Sequence, residues 1–176
     1  MSSPAELIAA LRALVAGVAD AVFDPEERLD ALMALATASG GAEEDQALAA
    51  VGRRTALAAL ARAVSDWDPR SFDDAVGRRD RIIALFDAEE IAAADDGQDA
   101  VAAALRALRG AVDRDLTRRA ANLSPLRPVT VQAQLPALVL AQHLYGDARR
   151  EGELTRMAGD PPNPCFMPSQ FRALAR

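Results

Sequence analysis

The stretch Asp24-Pro25-Glu26-Glu27-Arg28-Leu29-Asp30-Ala31-Leu32-Met33-Ala34-Leu35 decides the fold class. Its aspartate offers a carboxylate to the first free amides of a helix. Its proline has a fixed φ and no N–H, which suits the first helical position, and its glutamates favour the positive end of the helix dipole. Leu29, Leu32, Met33 and Leu35 then recur at helical intervals, and Ser39-Gly40-Gly41 ends the run.

The same grammar repeats in both directions. Upstream, Ser3-Pro4-Ala5-Glu6 starts a first helix that runs to about Phe23, with Leu7, Leu11, Leu14, Val18 and Val22 on one face. Downstream, the acid-rich turn at Glu43 opens a third helix with its core seam at Leu57, Leu60, Val64 and Trp67, stopped by Asp68-Pro69. Ser71-Phe72-Asp73-Asp74 caps a fourth, whose apolar positions are Phe72, Val76, Ile83 and Phe86. Asp95-Asp96-Gly97 turns the chain into a fifth, with Val101, Leu105, Leu108, Val112 and Leu116 in register, ended by Leu123-Ser124-Pro125. Gly110, isolated within it, suggests a close helix crossing.

Composition agrees. Of 176 residues, 51% are hydrophobic, with alanine the commonest of them, and only 4% are aromatic. Alanine favours helix and is depleted in strands. The expected architecture is therefore mainly α, an antiparallel helical bundle over residues 1–123. A net charge of −6 argues against sequence-independent nucleic-acid binding, which depends on net positive surface to release counterions. One cysteine, Cys165, permits no internal disulfide. Residues 1–7 carry no basic run before an apolar stretch, so no secretory leader is expected, and no apolar run approaches the length of a membrane span.

After residue 123 the texture changes. Pro125, Pro128 and Pro136 bracket a short β-prone run, Val129-Thr130-Val131. A compact helix from Pro136 to Tyr145 meets Gly146-Asp147, and a second helix follows to about Ala158. Pro161, Pro162, Pro164 and Pro168 keep the next segment irregular, and a last strand covers Phe171 to Leu174. The order is strand–helix–helix–strand, a small module over residues 124–176. Gly146 supplies the left-handed stop of the first helix, Asp147 caps the second, and Leu144 and Tyr145 fill the gap between them.

The stretch Leu135-Pro136-Ala137-Leu138-Val139-Leu140-Ala141-Gln142-His143-Leu144-Tyr145-Gly146-Asp147-Ala148 resembles the C-terminal motif of the Mu-like phage DNA circularisation (N) protein family. Asn163-Pro164-Cys165-Phe166-Met167-Pro168 is similar to that family's usual His-Pro-Gly-Phe-Val-Pro ending, and Arg53-Arg54-Thr55-Ala56-Leu57 and Arg70-Ser71-Phe72-Asp73-Asp74-Ala75-Val76 also match its pattern. The similarity spans roughly residues 50–170. The Leu-Tyr-Gly-Asp core further resembles the LysM-like modules of phage tail proteins. Two departures stand out. No part of this sequence matches the family's N-terminal domain, which gives it its name. Cys165 and Ser169-Gln170 stand where glycines are usual.

The resemblance implies a virion protein of the tail tip or baseplate, made in the host cytoplasm, contacting tail tube or hub proteins within a homo-oligomeric ring and assisting DNA delivery there. It places the interaction motif at Leu144, Tyr145, Gly146, Asp147, Pro164, Phe166 and Pro168. Two other classes follow from the same likeness: a peptidoglycan-binding LysM-type module, and a DNA end-binding circularisation protein. The few aromatics of the module disfavour the former, and the charge disfavours the latter.

No residue pattern points to catalysis, a metal or a cofactor. His143, the single histidine, and Cys165 lie in different elements, without the base or ligand set that nucleophilic or metal chemistry needs. The acidic pairs Glu26-Glu27, Glu43-Glu44, Asp73-Asp74, Glu89-Glu90 and Asp95-Asp96 fall mostly in first turns and loops, where capping and solvation explain them. Asp95-Asp96-Gly97-Gln98-Asp99 is similar to the start of a calcium loop but lacks its closing glutamate. Arg78, Arg79 and Arg81 are candidates for partner contact. Their flanking acids suggest intrahelical ion pairs as the simpler account, and the same holds for Arg118-Arg119.

Overall fold

A computed structural model describes residues 4–38 and 43–175. By compactness the chain divides into two units, residues 1–69 with 76–118, and residues 70–75 with 119–176. The expected cap at Ser3 and the expected stop at Ser39-Gly40-Gly41 lie outside the described residues.

The first unit is helical: α1 (Pro4–Ala21), α2 (Pro25–Ala36), α3 (Glu43–Asp66) and most of α4 (Phe72–Asp95) and α5 (Asp99–Ala120). At the start of α2 the Asp24 carboxylate accepts the amides of Glu26 and Glu27 at 2.7 and 3.3 Å, with Pro25 in the first turn, as the local chemistry dictates. Leu29 and Leu32 of α2, Leu57, Leu60 and Val64 of α3, Ile82 and Phe86 of α4, and Leu105, Val112 and Leu116 of α5 form one continuous buried core. Trp67, just past α3, joins them. Among the described residues no helix is long and apolar enough to cross a membrane.

Three local expectations are corrected. Helix α1 buries Val15 and leaves Leu7 and Leu14 45% and 58% exposed. It is apolar around most of its circumference, so periodicity alone does not fix its rotation. Packing does: Leu11 approaches α3 at Gly52, where an added Cβ would stand 3.4 Å from the leucine Cδ2. In α4 the buried position is Ile82 rather than Ile83, because the inward stripe also carries Arg78 and Glu89, which a search for apolar spacing discards. At Gly110 an added Cβ would meet only the Arg114 side chain, so no close helix crossing explains that glycine.

The second unit joins the first turn of α4 to β1 (Leu126–Thr130), α6 (Ala137–Tyr145), a 3-10 turn (Ala148–Arg150), α7 (Glu151–Met157) and β2 (Gln170–Leu174). The strands pair antiparallel, with Leu126 opposite Leu174 and Thr130 opposite Gln170. The strand–helix–helix–strand order is therefore present, with β1 starting earlier than the β-prone run suggests and the second helix entered through a 3-10 turn. Leu140, Ala141, Leu154, Met167 and Phe171 form its own core.

The unit starts at 119 and recruits residues 70–75, whereas punctuation in the sequence suggests a division at 123/124. The reason is Asp73. Its carboxylate accepts the Leu126 amide at 2.6 Å and the Arg172 guanidinium at 2.8 Å, and the Phe72 amide donates to the Ser124 carbonyl at 3.1 Å. Ser71, buried beneath them, accepts the Asp74 amide at 3.0 Å, while the Asp74 carboxylate accepts the Arg70 amide at the same distance. Ser71 thus caps α4 as its position suggests, and the Asp74 carboxylate reaches back one residue past the cap, to the Arg70 amide.

Candidate functional site

The turn between α6 and α7 is built residue by residue from the Leu-Tyr-Gly-Asp motif. Gly146 closes α6 at φ 74° and ψ 8°, and its amide donates to the Gln142 carbonyl at 2.9 Å. That left-handed conformation admits glycine without a Cβ clash. Asp147 returns to extended geometry and its Oδ1 accepts the Arg149 amide at 3.0 Å, capping the 3-10 turn. That amide, together with the Arg149 side chain, holds the Asp147 carboxyl below the usual range.

Tyr145 does the cross-linking. Its hydroxyl oxygen accepts the amide of Leu174 in β2 at 3.2 Å, and the Arg150 guanidinium stacks 4.2 Å from its ring centroid. Arg150 is held there by Glu153 at 2.6 Å, a bond that also raises its affinity for its proton. Burial pushes the Tyr145 hydroxyl pKa upward. Leu144 packs half-buried against the same core.

The sheet shares this arrangement. Leu126 and Leu174 are cross-strand partners, and neither amide is spent on the other strand. One goes to the Asp73 carboxylate, the other to the Tyr145 hydroxyl. Pro128, also in β1, has no amide to offer.

The proline-rich segment after α7 is tied to the start of α6. The Ala137 amide donates to the Pro164 carbonyl at 2.8 Å, and the Met167 amide to the Leu135 carbonyl at 3.1 Å. Asn163 folds the tip, its Oδ1 accepting the Cys165 amide at 3.0 Å. Of the predicted motif residues here, Pro164 and Phe166 are exposed and Pro168 is half-buried. Met167 is the one that enters the core, fully buried. Sequence reading misses Met167 and Leu154 as the pins of this unit, although both are ordinary apolar residues next to turn signals. Phe166 is 61% exposed and Leu138 50%, on the two segments that the Ala137–Pro164 bond joins.

The arginine cluster on α4 divides. Arg78 is buried and pairs across to α2, with Asp30 and Glu26, and its guanidinium lies 5.6 Å from the Trp67 ring centroid. It is a structural residue, unavailable to a partner, and its pairs are interhelical rather than intrahelical. Arg79 donates to Asp80 at 2.9 Å and to Thr117 of α5 at 3.1 Å. Arg81 is exposed and donates to the Gly77 carbonyl. Arg118 pairs within its own helix, with Asp115 at 2.7 Å. A second buried charge leaves no local signal in the sequence: Glu89 receives Arg53 and Arg54 of α3, each at 2.7 Å.

His143 and Cys165 are both exposed. Among the described residues no group of three or more His, Cys, Asp or Glu side chains is placed to hold a metal ion. The arrangement offers packing surfaces and hydrogen-bonding groups. Compared with protein-family models and with curated proteins, the chain matches none.

Proposed function

We propose that this chain is a non-enzymatic structural component of a phage or phage-derived tail, placed at the tip or baseplate and contacting tube or hub proteins, with its strand–helix–helix–strand unit as a LysM-like docking module. The observation that carries the reading is the Leu144–Asp147 turn, where the motif residues divide the work. Gly146 reverses the chain, Asp147 caps, and Tyr145 joins helix to strand. This supports the likeness to the phage tail family at the level of what its motif residues do. The test is mass spectrometry and cryo-EM of particles purified from the source cell. The chain should appear in tails at fixed stoichiometry, and its absence from purified tails would sink the reading.

A second reading, peptidoglycan binding, is favoured by the exposed Phe166, since an aromatic face in the open can stack on a sugar ring. Co-sedimentation with purified peptidoglycan, lost in Phe166→Ala, separates it from the first.

A further inference from the structure

The register of the two-stranded sheet settles where its main-chain groups point. The Val131 amide donates to the Ser169 carbonyl at 2.9 Å, and the Ala175 amide to the Pro125 carbonyl at 2.8 Å. In an antiparallel pair, positions that exchange hydrogen bonds alternate with positions that do not. The pairs Leu126–Leu174, Pro128–Arg172 and Thr130–Gln170 are therefore the unbonded ones, with main-chain groups turned away from the partner strand. Leu126 and Leu174 agree, since each sends its amide to a side chain outside the sheet.

The two edges differ. On β1 the Leu126 amide is taken by Asp73 and Pro128 has none, which leaves Thr130 alone with an outward amide. On β2 the Tyr145 phenol closes the Leu174 end, while the outward amides and carbonyls of Gln170 and Arg172 make no hydrogen bond among the described residues. Both residues are exposed. The Arg172 guanidinium reaches across β1 to Asp73 at 2.8 Å, away from its own edge. Phe171 and Ala173 belong to the core, so the side chains of Gln170 and Arg172 lie on the opposite, open face.

We infer that the Gln170–Arg172 edge of β2 receives an extended segment of a partner protein, which joins the sheet as a third strand. The main chain selects this occupant. Two donors and two acceptors at strand spacing match the alternating N–H and C=O groups of another strand, and no lipid, sugar ring or phosphate backbone presents that alternation. The pleat also fixes the side chains that fit. Partner residues opposite Gln170 and Arg172 lie on the open face and are polar, and the residue between them lies beside Phe171 and is apolar. The opening ends at Tyr145, so it takes one short strand. The inference rests on the reading of this unit as a docking module and not on the tail location.

The test titrates the full, isotope-labelled chain by NMR with a capped peptide of alternating threonine and valine, about six residues long, carrying a terminal lysine pair for solubility. The Gln170 and Arg172 amides should shift saturably and exchange more slowly with solvent. Gln170→Pro removes one outward amide and no bond of the sheet, and should weaken binding about fivefold or more. Gln170→Ala keeps that amide and should bind as wild type does. Arg172→Pro is a second variant, checked for folding by the protection of the Leu126 and Leu174 amides. The same peptide N-methylated at alternate amides leaves the protein untouched and should not bind. No saturable binding up to about 1 mM, shifts centred away from β2, equal losses in Gln170→Ala and Gln170→Pro, binding of the N-methylated peptide, or an edge already filled by a second copy of the chain would each overturn the inference. A failed titration leaves the tail location standing, and absence of the chain from tails leaves a successful titration standing.

Discussion

At the scale of single residues, the second unit hangs on a few atoms. Gly146→Val places a β-branched side chain at φ 74°, a conformation that costs it about 1–3 kcal/mol. Hydrogen exchange should speed up across residues 126–174 while the core of the helical unit stays protected, and unchanged exchange would remove the turn from its assigned role. Tyr145→Phe leaves the buried Leu174 amide without its acceptor, so the unit should lose about 1–3 kcal/mol, read as a lower denaturation midpoint. Asp73 supplies a pH dependence. The Leu126 amide, then Arg172, hold its carboxyl below the ordinary aspartate value of 3.8. A depressed folded pKa gives stability that is complete above the unfolded value and is lost as pH falls through the folded one. Thermal scans between about pH 6 and pH 3 should therefore show the second unit weakening at the acid end, and Asp73→Asn should flatten that slope.

At the scale of elements, helix packing in the first unit is specified by buried charge as much as by leucine. Glu89 on α4 takes one guanidinium each from Arg53 and Arg54 on α3. Glu89→Ala leaves two arginines beside an apolar core and should destabilise by about 3–5 kcal/mol, measured by chemical denaturation. A loss well below about 1 kcal/mol would show that water replaces the carboxylate. The elements are largely legible in the sequence, because Asp24-Pro25, Ser71 with Asp74, Asp95-Asp96-Gly97 and Gly146-Asp147 are local signals whose physics needs no distant partner. The faces are less so. Arg78 and Glu89 sit where a core residue belongs, and only the acids of α2 and the arginines of α3 make those sites habitable. Helix α1 defeats the pattern for the opposite reason, having too many apolar sides to choose among. The Asp73–Leu126 bond joins positions 53 apart in sequence, so no window of local chemistry reveals it. In the motif the turn residues are readable, whereas the burial of Met167 in place of Phe166 depends on how the proline-rich segment pairs with Leu135.

At the scale of the whole molecule, 26 acids against 20 arginines set the long-range field. Binding to duplex DNA ends should be weak and unspecific at near-physiological salt. Submicromolar affinity with a steep salt slope, in an anisotropy titration, would instead support an end-binding role. No turnover of DNA or peptidoglycan is expected either, and activity abolished by His143→Ala or Cys165→Ala would refute the non-enzymatic reading. The two-stranded sheet carries a further consequence. An uncovered strand edge is a template on which foreign strands grow, the first step toward fibrils. Here the amides of Leu126 and Leu174 are withheld from any such recruit by a carboxylate and a phenol, and Pro128 has none to give. Acid takes away the carboxylate's charge but leaves the phenol in place, so the β1 side is where storage at low pH would first seed aggregates, and where a Thr130→Pro substitution would be expected to delay them.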